Sequence, residues 1–136
     1  MGRLFNTQSN ILIVGLVRNA SLTLESDINT LSSAFQDFPN IKFLLIESDS
    51  SDQTIKTLDM LSANMNNFEF VTLGKLDDSI PVREDRISFC RNRYLEEFRT
   101  NSLYAGIEYL VIADMDGINA DLTKQAVETC FINLDW

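Results

Sequence analysis

Four short apolar runs, spaced along the chain with helix-like segments between them, constrain the fold most strongly. Residues 11–17 (ILIVGLV), 41–46 (IKFLLI) and 108–113 (EYLVIA) are almost continuously apolar, and residues 68–74 (FEFVTLG) form a fourth run. Short runs of this kind, rich in β-branched residues, are typical of strands covered on both faces, as in parallel sheets. The sequence therefore predicts four buried strands.

The segments between these runs have helical periodicity. Apolar residues recur every three or four positions in two segments, which predicts two amphipathic helices: Leu24, Ile28, Leu31, Phe35 and Phe38 in the first, and Ile55, Leu58, Leu61 and Met65 in the second. A third helix is predicted over residues 83–99 and a last one from about Leu122 to Phe131. The alternation predicts an α/β fold, a Rossmann-like three-layer sandwich with a mainly parallel sheet. We expect residues 1–10 to be an N-terminal extension and residues 11–136 to form one domain.

Composition excludes several classes of function. The net charge of −9 argues against nucleic acid or an anionic membrane as the main partner. The chain has no histidine, which excludes histidine-based triads and the usual zinc sites. No apolar run is long enough to span a bilayer. We read Cys90 and Cys130 as reduced core residues of a cytoplasmic protein, with any membrane attachment made through a region or partner outside this sequence.

Acidic side chains follow the predicted strands. Ligands of parallel sheets bind beyond the carboxyl ends of the strands, and the segments there are GLVRNAS, ESDSSD, LGKLDD and DMDGIN. Asp114 and Asp116, one residue apart after the last strand, would repel each other unless something offsets their charge. A partner arginine, a bound metal ion and a solvated loop turning at Gly117 all remain open. Carboxylates without histidine favour Mg²⁺ or Mn²⁺, and a dianionic ligand would then require that metal for binding.

The third predicted helix is basic. It contains five of the eleven basic residues: Arg83, Arg86, Arg91, Arg93 and Arg99. Arg91 falls about 40° from Ile87 on a helical wheel, within the apolar stripe. It could form a buried ion pair with Asp114 or Asp116, or bind an anion such as a phosphate with both arms of its guanidinium. Arg83 and Arg93 are expected to be surface charges.

Four segments together resemble the GT-A glycosyltransferases, which use nucleotide-sugar donors. ILIVGLVRNAS resembles the first strand and its nucleoside-binding turn, and LLIESDSSDQT the second strand with its acidic residue. RISFCRNRYL is similar to the helix whose Arg-Asn pair faces the donor diphosphate, and VIADMDG to the Asp-x-Asp strand that holds the metal. The resemblance covers Ile11 to Trp136, and more loosely it extends to capsule-associated or surface-polysaccharide transferases.

The resemblance implies a role for each matching residue. It implies a nucleotide-sugar donor, Mn²⁺ or Mg²⁺ as cofactor, and a saccharide or lipid-linked acceptor. Asp116 would be the direct metal ligand, and Asp114 would contact the metal, its bound water or the ribose. The nucleoside would meet Leu16, Val17, Arg18, Glu47 and Asp49, and the diphosphate and sugar would meet Arg86, Arg91 and Asn92. Two alternatives stay open: Glu47 as a solvated loop carboxylate, and Arg86 as part of a solvated helix start.

The sequence also departs from the family. GT-A enzymes continue well beyond the Asp-x-Asp motif with the elements that bind the acceptor, whereas this sequence stops 20 residues after Asp116. We therefore expect a donor-binding part, and the sequence does not identify a catalytic base. Two alternatives remain open. DMDG also opens the haloacid-dehalogenase-type phosphatases, although Ile118 stands where they have threonine, and the chain could be a non-catalytic nucleotide-binding domain.

Overall fold

A computed structural model describes residues 9–115 and 123–127 of the chain. The element order is β1 (Ile11–Val17), α1 (Leu24–Ala34), β2 (Ile41–Glu47), α2 (Thr54–Asn64), β3 (Phe68–Thr72), α3 (Arg83–Thr100), a short 3₁₀ turn (Ser102–Tyr104) and β4 (Tyr109–Ile112). Residues 124–127 are helical, and the rest of the predicted last helix lies outside the described residues.

The four strands form one parallel sheet in the order β3-β2-β1-β4. The chain therefore builds the sheet outward from β1 in one direction through β2 and β3. It then crosses back through α3 and adds β4 on the other side of β1. The direction of winding reverses between the neighbouring strands β1 and β4. Open α/β sheets bind ligands at such a point, outside the carboxyl ends of the strands.

Both faces of β1 are covered, as its sequence predicts. Ile11 and Ile13 belong to one apolar core and Leu12 and Val14 to a second, and all four are fully buried. Alternate side chains of a strand point to opposite faces, so the continuous apolar run serves two layers at once. The first core contains residues of α1 and α2 and the second contains residues of α3. The α/β sandwich with a parallel sheet is confirmed.

The main difference from the predicted elements is at the end of α1. The apolar spacing continues to Phe38, but the helix ends at Ala34. Phe35 and Phe38 remain buried because a turn, in which the Phe38 N–H donates to the Phe35 carbonyl at 2.9 Å, carries both rings to the core. Pro39 disfavours helical geometry at Phe38, so the helix could not have continued through the second phenylalanine.

None of the helices described in residues 9–115 and 123–127 is both long and apolar enough to cross a membrane.

Candidate functional site

A cleft of about 280 Å³ opens at the carboxyl edge of the sheet, between the ends of β1 and β4 and beside α3. Its position is the reversal point of the sheet. Seven of the nine residues predicted to contact the donor line it: Leu16, Val17, Arg18, Asp49, Arg86, Arg91 and Asp114. The prediction that these distant segments meet at one edge follows from parallel strands, because their carboxyl ends lie on the same side.

Arg18 is held at the cleft by hydrogen bonds between the loops after β1 and β2. The next residue, Asn19, has a left-handed backbone (φ 49°), which asparagine adopts more readily than most residues. Its N–H donates to Ser50 Oγ at 3.0 Å, and its Oδ1 accepts from the Ser51 N–H at 2.7 Å. The two loops are thereby joined, and the exposed Arg18 side chain is presented to the cleft.

Glu47 is a buried carboxylate, 1% exposed, at the end of β2. The alternative that it is a solvated loop carboxylate is wrong. Its Oε2 accepts from the Ser50 N–H at 2.9 Å and its Oε1 from the Thr72 hydroxyl of β3. Because both oxygens have partners within the protein, Glu47 fixes the start of the loop that carries Asp49.

Asp49 ties the loop after β2 to the loop after β3. Its backbone is left-handed (φ 59°), and its Oδ1 accepts from the N–H groups of Leu76 and Asp77 at 2.7 and 3.1 Å. Burial acts to raise the pKa of Asp49. The two backbone hydrogen bonds outweigh it, helped by Ser48 and the charge of Arg18, so the pKa is lowered. Asp49 is therefore ionised at neutral pH.

Helix α3 supplies three arginines to the cleft, Arg83, Arg86 and Arg91. Arg83 is exposed, as expected of a surface charge, and it also lines the cleft. Arg86 is anchored: its Nη1 donates to the carbonyls of Ile80 and Pro81, both at 2.9 Å. The sequence spacing of these arginines, i, i+3 and i+8, is a signal from which their common side of the helix could have been predicted.

For Arg91, the alternative of a buried ion pair is wrong. Only Cys90 and Tyr94 of α3 are buried; Arg91 is exposed, and Ile87 is half-buried. The side of the helix that carries Ile87 and Arg91 faces the cleft rather than the core. Asn92 is exposed and does not line the cleft, so the structure does not bring the predicted Arg-Asn pair to one place.

The inner wall of the cleft contains residues that the sequence analysis did not assign to the site. They are Gly15, Ile46, Ser48, Ile87, Cys90, Tyr94, Ile112, Ala113 and Met115. Burial raises the pKa of the Cys90 thiol, whose sulfur lies 3.7 Å from Ser48 Oγ. The thiol is therefore protonated at neutral pH, which argues against a nucleophilic role.

The end of β4 brings Asp114 to the cleft, where its side chain is exposed. Met115, which is 3% exposed, packs over Gly15 of β1. A Cβ atom at Gly15 would lie 2.4 Å from the Ala113 carbonyl oxygen, so the missing side chain allows β4 to approach this closely. Asp116, the predicted metal ligand, lies outside the described residues. Within the described ranges, no group of three or more His, Cys, Asp or Glu side chains could hold a metal ion.

A second depression lies beside the first, between the loops after β1, β2 and β3. Arg18 and Asp49 border both depressions. Glu47 borders only the second, together with Asn19, Ser50, Ser51, Ile55, Gly74, Lys75 and Asp77. The edge of the sheet therefore offers two adjoining spaces, one lined by arginines and one by short polar side chains.

Comparison with known proteins identifies the fold class. No protein-family model matches the chain, and no curated protein matches it. Among solved structures, the chain is similar to the crystal structure of S. aureus TarS 1-349, a staphylococcal glycosyltransferase. The TM-score is 0.57 and the sequence identity is 16%. The match covers 89% of this chain and 31% of the TarS chain, so this chain spans about a third of that structure. The likeness shows a glycosyltransferase-like α/β fold.

Proposed function

We propose that this chain is the donor-binding part of a glycosyltransferase and that the cleft holds the diphosphate of a nucleotide sugar. The observation that carries the proposal is the set of arginines from α3 and the β1 loop at the reversal point of a parallel sheet. Guanidinium groups match phosphate oxygens in both charge and geometry. The fold similarity to TarS supports the same class of enzyme.

The second depression supports a place for the nucleoside. It adjoins the cleft through Arg18 and Asp49, so one ligand could occupy both spaces. Its lining offers hydroxyl, amide and carboxylate groups, which suit the polar edge of a base and the hydroxyls of a ribose. The sugar would then extend from the diphosphate toward Arg86 and Arg91.

In this proposal the arginines contribute to the chemistry by stabilising charge. As the acceptor hydroxyl forms a bond to the anomeric carbon and the bond from that carbon to the diphosphate oxygen breaks, negative charge develops on the departing nucleoside diphosphate. Cations already fixed near that position stabilise it without reorganisation. Arg86 is the best fixed of them, since two loop carbonyls hold its Nη1.

A divalent cation stays a prediction that rests on Asp114 and Asp116. Asp114 lines the cleft, which is compatible with metal binding, and Asp116 lies outside the described residues. A bound Mg²⁺ or Mn²⁺ would act as a Lewis acid on the diphosphate. The acceptor, saccharide or lipid-linked, and a role in surface-polysaccharide synthesis also stay predictions.

The proposal is tested by measuring thermal stabilisation with UDP-, GDP-, CMP- and dTDP-sugars, with and without Mn²⁺. A ligand that binds the folded state raises its free energy of unfolding by RT ln(1 + [L]/Kd), so weak binding is visible at high concentration. We expect stabilisation by at least one nucleoside-diphosphate sugar and no release of phosphate from p-nitrophenyl phosphate. Phosphate release would favour the phosphatase alternative. Binding without donor hydrolysis or transfer would favour the non-catalytic one.

A further inference from the structure

Four guanidinium groups converge on one cleft in a chain that is acidic as a whole. We call Arg18, Arg83, Arg86 and Arg91, which all line the cleft, the arginine cluster. Three of the four side chains are exposed and Arg86 is half-buried. The net charge of the chain is −9, so this concentration of positive charge is local.

The arginine cluster forms no ion pair with a carboxylate of the described residues. Within residues 9–115 and 123–127, none of its four members lies within 4.0 Å of a carboxylate oxygen. On the same helix, in contrast, Arg93 pairs with Glu97 at 3.2 Å. The acidic residues of the first turn of α3, Glu84 and Asp85, are exposed and do not line the cleft. Among the described residues, like charges are therefore brought together without a carboxylate in direct contact.

The charge balance of the cleft is positive among the described residues. Of the carboxylates in the described residues, two line it, Asp49 and Asp114. Asp49 accepts from two backbone N–H groups through Oδ1 and stays ionised, so two negative charges face the four guanidinium groups. The first turn of the 18-residue helix α3 also borders the cleft and adds the partial positive charge of a helix N-terminus.

We propose that the arginine cluster binds a diphosphate as the free anion, so that binding of the ligand needs no divalent cation. The inference rests on the proposed function for the identity of the ligand as a nucleoside diphosphate. It differs from the expectation drawn from the acidic strand ends, that a dianion would be repelled unless a metal were present. Arg83 and Arg91 contribute directly to this binding.

The test is a calorimetric titration of the chain with inorganic pyrophosphate and with UDP and GDP, each in EDTA and in Mn²⁺. We expect pyrophosphate and one nucleoside diphosphate to bind in EDTA, with Mn²⁺ changing the affinity by less than about threefold. Arg83→Gln combined with Arg91→Gln should weaken binding in EDTA by at least about tenfold, since hydrogen bonds to charged groups are lost. Both side chains are exposed, so the melting temperature should hardly change.

Arg99→Gln is the matched control, because Arg99 is exposed on the same helix and does not line the cleft. Binding that appears only with Mn²⁺ would overturn the inference and leave the proposed function standing. Equal affinities for pyrophosphate and both nucleoside diphosphates in EDTA would support the arginine site and count against a nucleotide ligand. If the double variant binds as tightly as the Arg99→Gln control, the arginine cluster is not the anion site.

Discussion

Glu47 illustrates how a residue can be important at a binding site without touching the ligand. Glu47 is the last residue of β2, and its carboxylate accepts hydrogen bonds from the Ser50 N–H and the Thr72 hydroxyl. The loop that starts there carries Asp49, which in turn holds the loop after β3 through Leu76 and Asp77. Removing Glu47 would therefore loosen both loops, while leaving Arg83 and Arg91 of α3 in place.

We expect Glu47→Ala to lower the free energy of unfolding by about 2–4 kcal/mol, because a buried side chain is deleted and the Ser50 N–H loses its acceptor. Thr72→Val should destabilise the chain by a smaller amount, since it leaves one buried Glu47 oxygen unpaired. Denaturant unfolding measures both. Pyrophosphate affinity should stay within about twofold under conditions where the variant is folded. If Glu47→Ala left stability unchanged and abolished only nucleotide binding, Glu47 would be a ligand contact instead.

Asp52 makes part of the stability depend on pH. Its carboxylate accepts hydrogen bonds from the N–H and hydroxyl of Thr54 at the start of α2 and from those of Ser21. The Thr54 hydroxyl is the largest cause, and although desolvation acts in the opposite direction, the pKa falls from 3.8 to about 2. A carboxyl whose pKa is lower in the folded state stabilises that state above its unfolded value and loses the contribution as the pH falls through its folded value.

Asp52→Asn should therefore be less stable than the original chain above pH 4, and the difference should shrink as the pH falls from 3.8 towards 2. Thermal unfolding of both proteins across this range measures the difference directly, because other carboxylates titrate alike in the two. A gap in melting temperature that stays constant down to pH 2 would show that Asp52 has an ordinary pKa.

At the scale of secondary-structure elements, β1 and α3 show what the sequence can and cannot predict. The run ILIVGLV predicts β1 at its observed bounds, Ile11–Val17, because a strand buried on both faces leaves no ambiguity about which side is apolar. Helix α3 is also predicted in place, but not the environment of its residues. A helical wheel gives the angle between Ile87 and Arg91. It does not show that this side of the helix faces the open cleft, which follows from where α3 lies in the fold.

The metal site at Asp114 and Asp116 stays a prediction, and it rests on a reading of charge along the sequence. The sequence shows acidic residues after several strands, but it does not show which carboxylates are already occupied by hydrogen bonds. Asp49 accepts from two backbone N–H groups, and Asp52 caps a helix start. Nor does it show that Arg83 borders the cleft. The net charge of −9 therefore does not describe the cleft, where four arginines and two carboxylates of the described residues lie.

The contact between β1 and β4 can be tested at Gly15. A side chain there would place Cβ 2.4 Å from the Ala113 oxygen and 3.3 Å from the Met115 side chain. The Ala113 oxygen is a backbone atom and cannot move aside as a side chain can. We therefore expect Gly15→Ala to destabilise the fold by about 1–3 kcal/mol and to move the end of β4 that carries Asp114. Denaturant unfolding and pyrophosphate titration should both change.

Gly106→Ala is the control for Gly15→Ala. Gly106 has φ 83°, so a side chain there is strained, but no atom lies within 3.4 Å of its Cβ position and it does not line the cleft. It should lower stability by about 1 kcal/mol without altering anion binding. If Gly15→Ala also left anion binding unchanged, the approach of β4 to β1 would matter for packing alone.

At the scale of the whole molecule, the arginine cluster works against the overall charge. A compact domain of this length has a radius of gyration of about 14 Å. At about 0.01 M salt the screening length is about 30 Å, so an approaching anion interacts with the full charge of −9. At about 0.15 M the screening length is about 8 Å, and the anion interacts mainly with the nearby guanidinium groups.

This difference predicts a salt-dependent effect of a remote charge. Asp59 is exposed on α2, which packs on the face of the sheet opposite α3. Asp59→Lys raises the net charge by two units without touching the cleft. We expect it to tighten pyrophosphate binding at about 0.01 M salt and to have almost no effect at about 0.15 M, where the remote charge is screened. Calorimetric titration at the two salt concentrations makes the comparison, with Asp59→Asn as a smaller step in the same direction.

An equal effect of Asp59→Lys at both concentrations would mean that the substitution acts through the structure. No effect at the lower concentration would mean that the acidic surface does not oppose the arginine cluster.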